Sequence, residues 1–130
     1  MKPELTYLLF SVVLTFVQVL VAAAAANQVV GLTTLAGNRE DVPPMLGGFA
    51  GRAKRAHLNM LENMVLFSAL VLIAVVANKT NATTALGAMI FFWARLAYAV
   101  IYLVGIPWLR TLAWFVSVIG MVMVAWPLCS

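Results

Sequence analysis

The sequence predicts an all-α membrane protein, a bundle of four transmembrane helices, on three observations. Only 9% of its 130 residues are charged and 65% are hydrophobic, against about 25% and 45–50% in an ordinary soluble domain. The eight Lys/Arg and four Asp/Glu are confined to the edges of long uncharged runs. The polar stretches between those runs fall where a chain that has crossed a bilayer must turn. A single integral membrane domain over residues 1–130 is expected. Charge this sparse excludes a nucleic-acid partner and a disordered chain, and the length excludes a large multidomain enzyme.

The first span lies in the uncharged run Leu5–Asn38, which has 34 residues. A hydrocarbon core of ~30 Å needs about 20 helical residues, so a helix over about 5–35 is more than long enough, and it either projects from the bilayer or ends near Gly31. In the middle of the chain the uncharged runs shorten to 14–16 residues, but Asn78-Lys79-Thr80-Asn81 forms a compact polar turn with apolar sequence on both sides. This divides the region into helices at about 52–77 and 82–104, each holding one ionisable residue, Glu62 and Arg95. Gly105-Ile106-Pro107 breaks the chain before a last helix over about 108–128.

The Ala22–Ala26 run resembles a cleavage site, but Lys2 and Glu4 together and the long apolar stretch after them argue against a cleaved signal peptide. The lone Cys129 has no disulfide partner in the chain. Four spans put both termini on one side with the Asn78–Asn81 turn, Lys2 and Lys79. The other side carries Arg39, Arg52, Lys54, Arg55 and Arg110, five basic residues against two. The positive-inside rule then places the Ala36–Gly51 loop and the Gly105–Leu109 turn in the cytoplasm and the termini outside it. In a bacterial cell this means the inner membrane.

Ionisable groups within a span cost several kcal/mol unless paired or facing a wet cavity, so they mark candidate sites. At 100° per residue, Arg52, Arg55, Asn59 and Glu62 share one stripe of the second helix about 80° wide. Arg95, Tyr98 and Tyr102 form another on the third, and Arg110 and Thr111 open the fourth with Trp114 a turn later. A rise of 1.5 Å per residue puts Glu62 level with Tyr98, ~10 Å below the basic edge, with Arg95 ~15 Å deep. The stripes thus converge on one pocket, where Arg52, Arg55, Arg95 and Arg110 outweigh Glu62. Such a pocket favours an anionic ligand, since guanidinium takes carboxylate in bidentate fashion. A plainer reading of the same residues stays open: a buried Glu62–Arg95 ion pair, basic anchors at the membrane edge, and Tyr98, Trp108 and Trp114 as interfacial aromatics. His57 lies off the stripe and reads as a satisfied or interfacial histidine. One His and one Cys far apart argue against a metal site.

The run Arg52-Ala-Lys-Arg-Ala-His-Leu-Asn-Met-Leu-Glu-Asn63 resembles the second-helix motif R-A-x-x-N-x-x-E of the MAPEG family, the membrane-associated proteins in eicosanoid and glutathione metabolism. Arg95-Leu-Ala-Tyr98-Ala-Val-Ile-Tyr102, followed by Pro107-Trp-Leu-Arg110-Thr111, is similar to that family's third helix and the start of its fourth. The resemblance implies a four-helix bundle assembled as a homotrimer, binding glutathione as co-substrate between neighbouring subunits near the cytoplasmic face. It implies that Arg55, Asn59 and Glu62 hold the glutathione backbone and its charged ends, with Tyr98 and Tyr102 contributing from the third helix. Arg52 and Arg95, which the convergence of the stripes puts in the same pocket, are expected to complete the binding set. Arg110 would stabilise the thiolate, and Thr111 stands where some relatives have a serine hydroxyl near the sulfur. A lipophilic electrophile or hydroperoxide would enter from the bilayer, making the chain a glutathione transferase or peroxidase. The chain departs from the pattern at Asn63 and Trp114, where certain members have tyrosine, and the Tyr102–Arg110 spacing is one residue off that of some relatives. Two alternatives are a small four-span transporter using Glu62, against which the excess of arginines argues, and a non-catalytic membrane scaffold.

Overall fold

The computed structural model describes residues 1–31, 37 and 47–129. Arg39, Glu40, Asp41, the 32–35 end expected for the first helix and most of the Ala36–Gly51 loop lie outside the described residues. Four helices follow one another, α1 Pro3–Val30, α2 Gly48–Val76, α3 Ala82–Val104 and α4 Pro107–Ala125, with a short 3-10 turn, Trp126–Cys129, after the last. All four are long and apolar enough to cross a membrane.

The helix limits have local causes. Pro3 opens α1 and Pro107 opens α4, where the missing N–H and preset φ of proline suit a first turn. The described part of α1 closes at Gly31, whose N–H bonds the Asn27 carbonyl. Helix α2 begins at Gly48, four residues before Arg52. It ends in a Schellman arrangement: Lys79 N–H donates to the Ala74 carbonyl and Asn78 N–H to the Val75 carbonyl, with Asn78 at φ 59°. Asn81 then caps α3, accepting from the Thr83 and Thr84 N–H groups while its own N–H donates to Thr84 Oγ1. Gly105 ends α3 at φ 93°, a conformation that costs a Cβ-bearing residue steric strain, and the chain reverses into α4 within two residues.

Helices α3 and α4 form the tightest pair. A Cβ placed on Gly120 would come within 2.6 Å of the Gly87 carbonyl oxygen and 2.8 Å of Phe91 N, so the two backbones touch. Without a hydrophobic force between helices in lipid, such close packing is a main source of association. Gly120→Val is therefore expected to push α3 and α4 apart at a cost of about 1–3 kcal/mol, read as a lower thermal midpoint of the protein in detergent. The core between α2, α3 and α4 is Met60, Phe67, Val71, Phe91 and Val124, all fully buried, with Phe67 and Phe91 stacked 3.8 Å apart.

Helix α1 turns a polar seam inward. Glu4, Ser11, Gln18 and Ala25, spaced seven residues apart, are all buried. Ser11 Oγ donates to the Tyr7 carbonyl, and Glu4 Oε2 accepts from Thr84 Oγ1 at 2.9 Å. Lys2 Nζ donates to Thr80 Oγ1 beside it, so the start of α1 is tied to the start of α3. Glu4 is thus an inter-helix contact as well as a membrane-edge charge. The outward surface is apolar, with Phe16, Val65, Trp93, Phe115 and Ile119 each more than half exposed, as a lipid-facing surface requires.

Candidate functional site

The end of the bundle opposite the chain's N-terminus gathers the start of α2, the end of α3 and the start of α4. There the antiparallel helices bring Arg52, Arg55 and Asn59 together with Arg95, Tyr98 and Tyr102 and with Arg110 and Thr111. Asn59, Tyr98, Arg110, Thr111 and Trp114 line a cavity of about 150 Å³. Asn59 and Tyr98 come from the two polar stripes and Arg110 and Thr111 from the start of α4, while Trp114, which composition reads equally as a membrane-interface aromatic, closes the wall.

Tyr102 organises the basic groups. Arg55 Nε donates to its hydroxyl at 3.1 Å, and the Arg110 guanidinium lies over its ring, 4.5 Å from the centroid. Tyr98 meets Tyr102 edge-on at 5.6 Å. With one face on the aromatic ring, the Arg110 side chain makes no hydrogen bond to any described residue, which leaves the N–H groups of its guanidinium edge available to an anion in the cavity. Thr111, at the cavity wall, donates its hydroxyl back to the Pro107 carbonyl at 3.2 Å.

Arg95 lies behind the cavity wall and is 1% exposed. Its guanidinium sits 4.1 Å from the Tyr98 ring centroid, Nη2 donates to Asn59 Oδ1 at 2.8 Å, and Nε approaches Met60 Sδ at 3.3 Å. Nη1 has no partner among the described residues. Arg95 therefore fixes two of the residues that line the cavity, Asn59 and Tyr98. Asn63, which lies outside the polar stripe expected on α2, completes that support: its Nδ2 donates to the Asn59 carbonyl at 2.8 Å and contacts Asn59 Oδ1 at 3.2 Å. The i, i+4 spacing of Asn59 and Asn63 on one helix is the signal that points to it.

Two expectations change. The buried Glu62–Arg95 ion pair does not form: Arg95 turns to Asn59, and Glu62 is exposed with no ion-pair partner among the described residues. The 60° between Asn59 and Glu62 around α2 aims the asparagine into the bundle and the carboxylate outward. Arg52 is the second. Its Nε donates to the Leu103 carbonyl at 3.1 Å, so it caps the end of α3, where backbone carbonyls lack helical partners. His57 is half-buried off the stripe, its Nδ1 without a partner among the described residues.

Chemically, the site offers the Arg55 and Arg110 guanidiniums, an amide held rigidly, two tyrosines and a threonine hydroxyl, beside an apolar bundle. That suits an anionic ligand held at the edge of the apolar bundle. Among the described residues no three His, Cys, Asp or Glu are grouped to hold a metal ion. Comparison with curated proteins and with solved structures returns no match. The model of the MAPEG family, however, matches residues 5–129, through all four helices and both polar stripes, and the chain belongs to that family as an integral, multi-pass membrane protein.

Proposed function

We propose that the protein is a glutathione-dependent transferase or peroxidase acting on lipophilic electrophiles or hydroperoxides. The observation that carries this reading is Arg110: a guanidinium stacked on Tyr102, free of hydrogen bonds to the described residues, at the wall of a cavity shared with Asn59, Tyr98 and Thr111. The basic end faces the cytoplasm by the positive-inside rule.

The thiolate of glutathione is the nucleophile, and a free thiol has a pKa of about 8.5. A guanidinium beside the sulfur favours the charged form, and each tenfold gain in thiol acidity corresponds to about 1.4 kcal/mol of preferential stabilisation. In conjugation the sulfur lone pair forms a C–S bond to the electrophilic carbon while the leaving group departs with its electron pair. In peroxide reduction the thiolate takes the distal oxygen, the O–O bond breaks and the alkoxide is protonated to the alcohol. A second glutathione then converts the sulfenic acid to disulfide and water.

A cavity of about 150 Å³ is of the size that holds one benzene ring, too small for a whole tripeptide. Arg55 and Glu62, meanwhile, sit on the exposed side of α2, where charge facing lipid is costly. Both features support a homotrimer in which a neighbouring copy covers α2 and glutathione lies between subunits, its thiol in the cavity and its charged ends on Arg55 and Glu62. Titration of the purified oligomer with glutathione by calorimetry is expected to show saturable binding, weakened about tenfold or more by Arg55→Ala through loss of a charge-assisted hydrogen bond. No heat of binding in the wild-type oligomer would sink the glutathione reading.

A further inference from the structure

Of the four tryptophans, Trp93, Trp108 and Trp126 are each more than half exposed, as aromatic residues at a lipid or interfacial surface are. Trp114 is different. It is half-buried and packs against the cluster of Ala56, Tyr98, Tyr102 and Ala113. It also lines the cavity that holds Arg110 and Thr111. One turn along α4 from Arg110, it lies on the same face and ~6 Å deeper in the bilayer. Trp114 thus stands between the guanidinium and the middle of the membrane. Leu112 and Phe115, on either side of it in sequence, are more than half exposed, so lipid lies beside this part of α4.

The cavity joins two unlike surfaces. Trp114 and Tyr98 give it aromatic walls, while Arg110 presents guanidinium N–H groups that no described residue takes up. Asn59 Oδ1 and the Thr111 hydroxyl are already engaged, by Arg95 and by the Pro107 carbonyl. At about 150 Å³ the cavity is of the size of one benzene ring. Thr111 is exposed, so the cavity opens on that side and leaves the glutathione sulfur room beside a ring. A flexible alkyl guest would fill this space only by fixing its rotatable bonds, which costs affinity, and it offers the N–H groups no acceptor. A flat ring loses no such freedom and stacks on aromatic side chains. An electron-poor ring carrying nitro or carbonyl oxygens satisfies both surfaces at once.

We propose that Trp114 selects electron-poor aromatic electrophiles as the second substrate, an inference that rests on the glutathione reading. The thiolate adds to the ring carbon that bears a halide, its lone pair forming the C–S bond, and the charge passes into the ring and its nitro oxygens beside Arg110. The halide then leaves with its bonding pair, which restores the aromatic ring. The test compares kcat/KM for 1-chloro-2,4-dinitrobenzene and 1-iodohexane in one detergent with glutathione saturating. Taking the aromatic-to-alkyl ratio for each variant cancels micelle partitioning and loss of active protein. Trp114→Leu is expected to lower that ratio about fivefold, the strength of one aromatic stack, and Trp114→Phe, which keeps a ring, to hold it within about twofold of wild type. The product, S-(2,4-dinitrophenyl)glutathione, is expected to quench tryptophan fluorescence strongly in the wild type and weakly in Trp114→Phe, a signature that packing alone would not give. An equal ratio in wild type and Trp114→Leu overturns the proposal, as does an equal loss in the leucine and phenylalanine variants. Equal quenching in wild type and Trp114→Phe overturns it even where the leucine protein does not assemble. Calorimetric titration of the wild type with glutathione separates the two readings. No binding overturns both, whereas saturable binding without turnover of the aromatic halide overturns the aromatic selection alone.

Discussion

Arg110→Ala is expected to lower glutathione-dependent turnover about 100-fold while the protein keeps its thermal midpoint. Arg110 is partly exposed at the first turn of α4, and its contacts are the Tyr102 ring and the cavity, so its removal leaves the buried core intact. On the proposed function, what is lost is a preset positive charge where thiolate charge would develop. Removing one such preorganised donor typically costs 10²–10³ in rate. If the guanidinium lowers the thiol pKa by about one to two, the thiolate fraction at neutral pH falls by about 8- to 25-fold in the variant. The sign is then distinctive: the pH–rate profile of Arg110→Ala moves upward toward the free-thiol value, and activity recovers as pH rises. Arg110→Lys keeps the charge but loses the planar fork and its stacking on Tyr102, and is expected to fall in between. Full activity in Arg110→Ala, with an unchanged profile, would remove Arg110 from the chemistry.

Arg95 is expected to separate stability from binding. Arg95→Ala empties the space of a fully buried side chain and strips Asn59 Oδ1 of its 2.8 Å donor. Large-to-small changes in a core cost about 2–5 kcal/mol, so this variant should lose much of the folded protein in detergent. Arg95→Met is the informative partner. It keeps most of the volume while removing a buried charge and the unpaired Nη1, and replacing buried ionic groups by well-packed apolar ones is often neutral or stabilising. The Met variant should therefore match or exceed the wild-type thermal midpoint. Its glutathione affinity should nonetheless drop about tenfold, because Asn59 and Tyr98 are no longer held in place. Equal affinity in the two proteins would show that Arg95 serves packing alone.

Helix number and the membrane setting were legible because they depend on charge spacing, a one-dimensional property. Asn78-Lys79-Thr80-Asn81 marks its turn in sequence because Asn tolerates positive φ and caps a helix start, and both asparagines are used in that way. The convergence of Arg55, Asn59, Tyr98, Tyr102 and Arg110 was legible as well, since helical periodicity gives each stripe and the rise per residue gives its depth. The pairings within that cluster were not. Periodicity places residues around their own helix but leaves the rotation of one helix against the next undetermined, so Glu62 and Asn59 were both within reach of Arg95. Packing resolved it in favour of Asn59.

Thus the sequence alone determined a four-span MAPEG protein with a basic end, because sparse charges and helical repeats survive any arrangement of the helices. Tertiary structure decided what each polar group does. The touching backbones at Gly87 and Gly120 set how α3 lies against α4, and the turn of α2 makes Arg95 a support for Asn59 while Arg52 closes the end of α3. The inward seam of α1 leaves Gln18 Oε1 without a hydrogen-bond partner among the described residues. Those are consequences of contacts between distant segments, and contacts between distant segments depend on close packing in three dimensions.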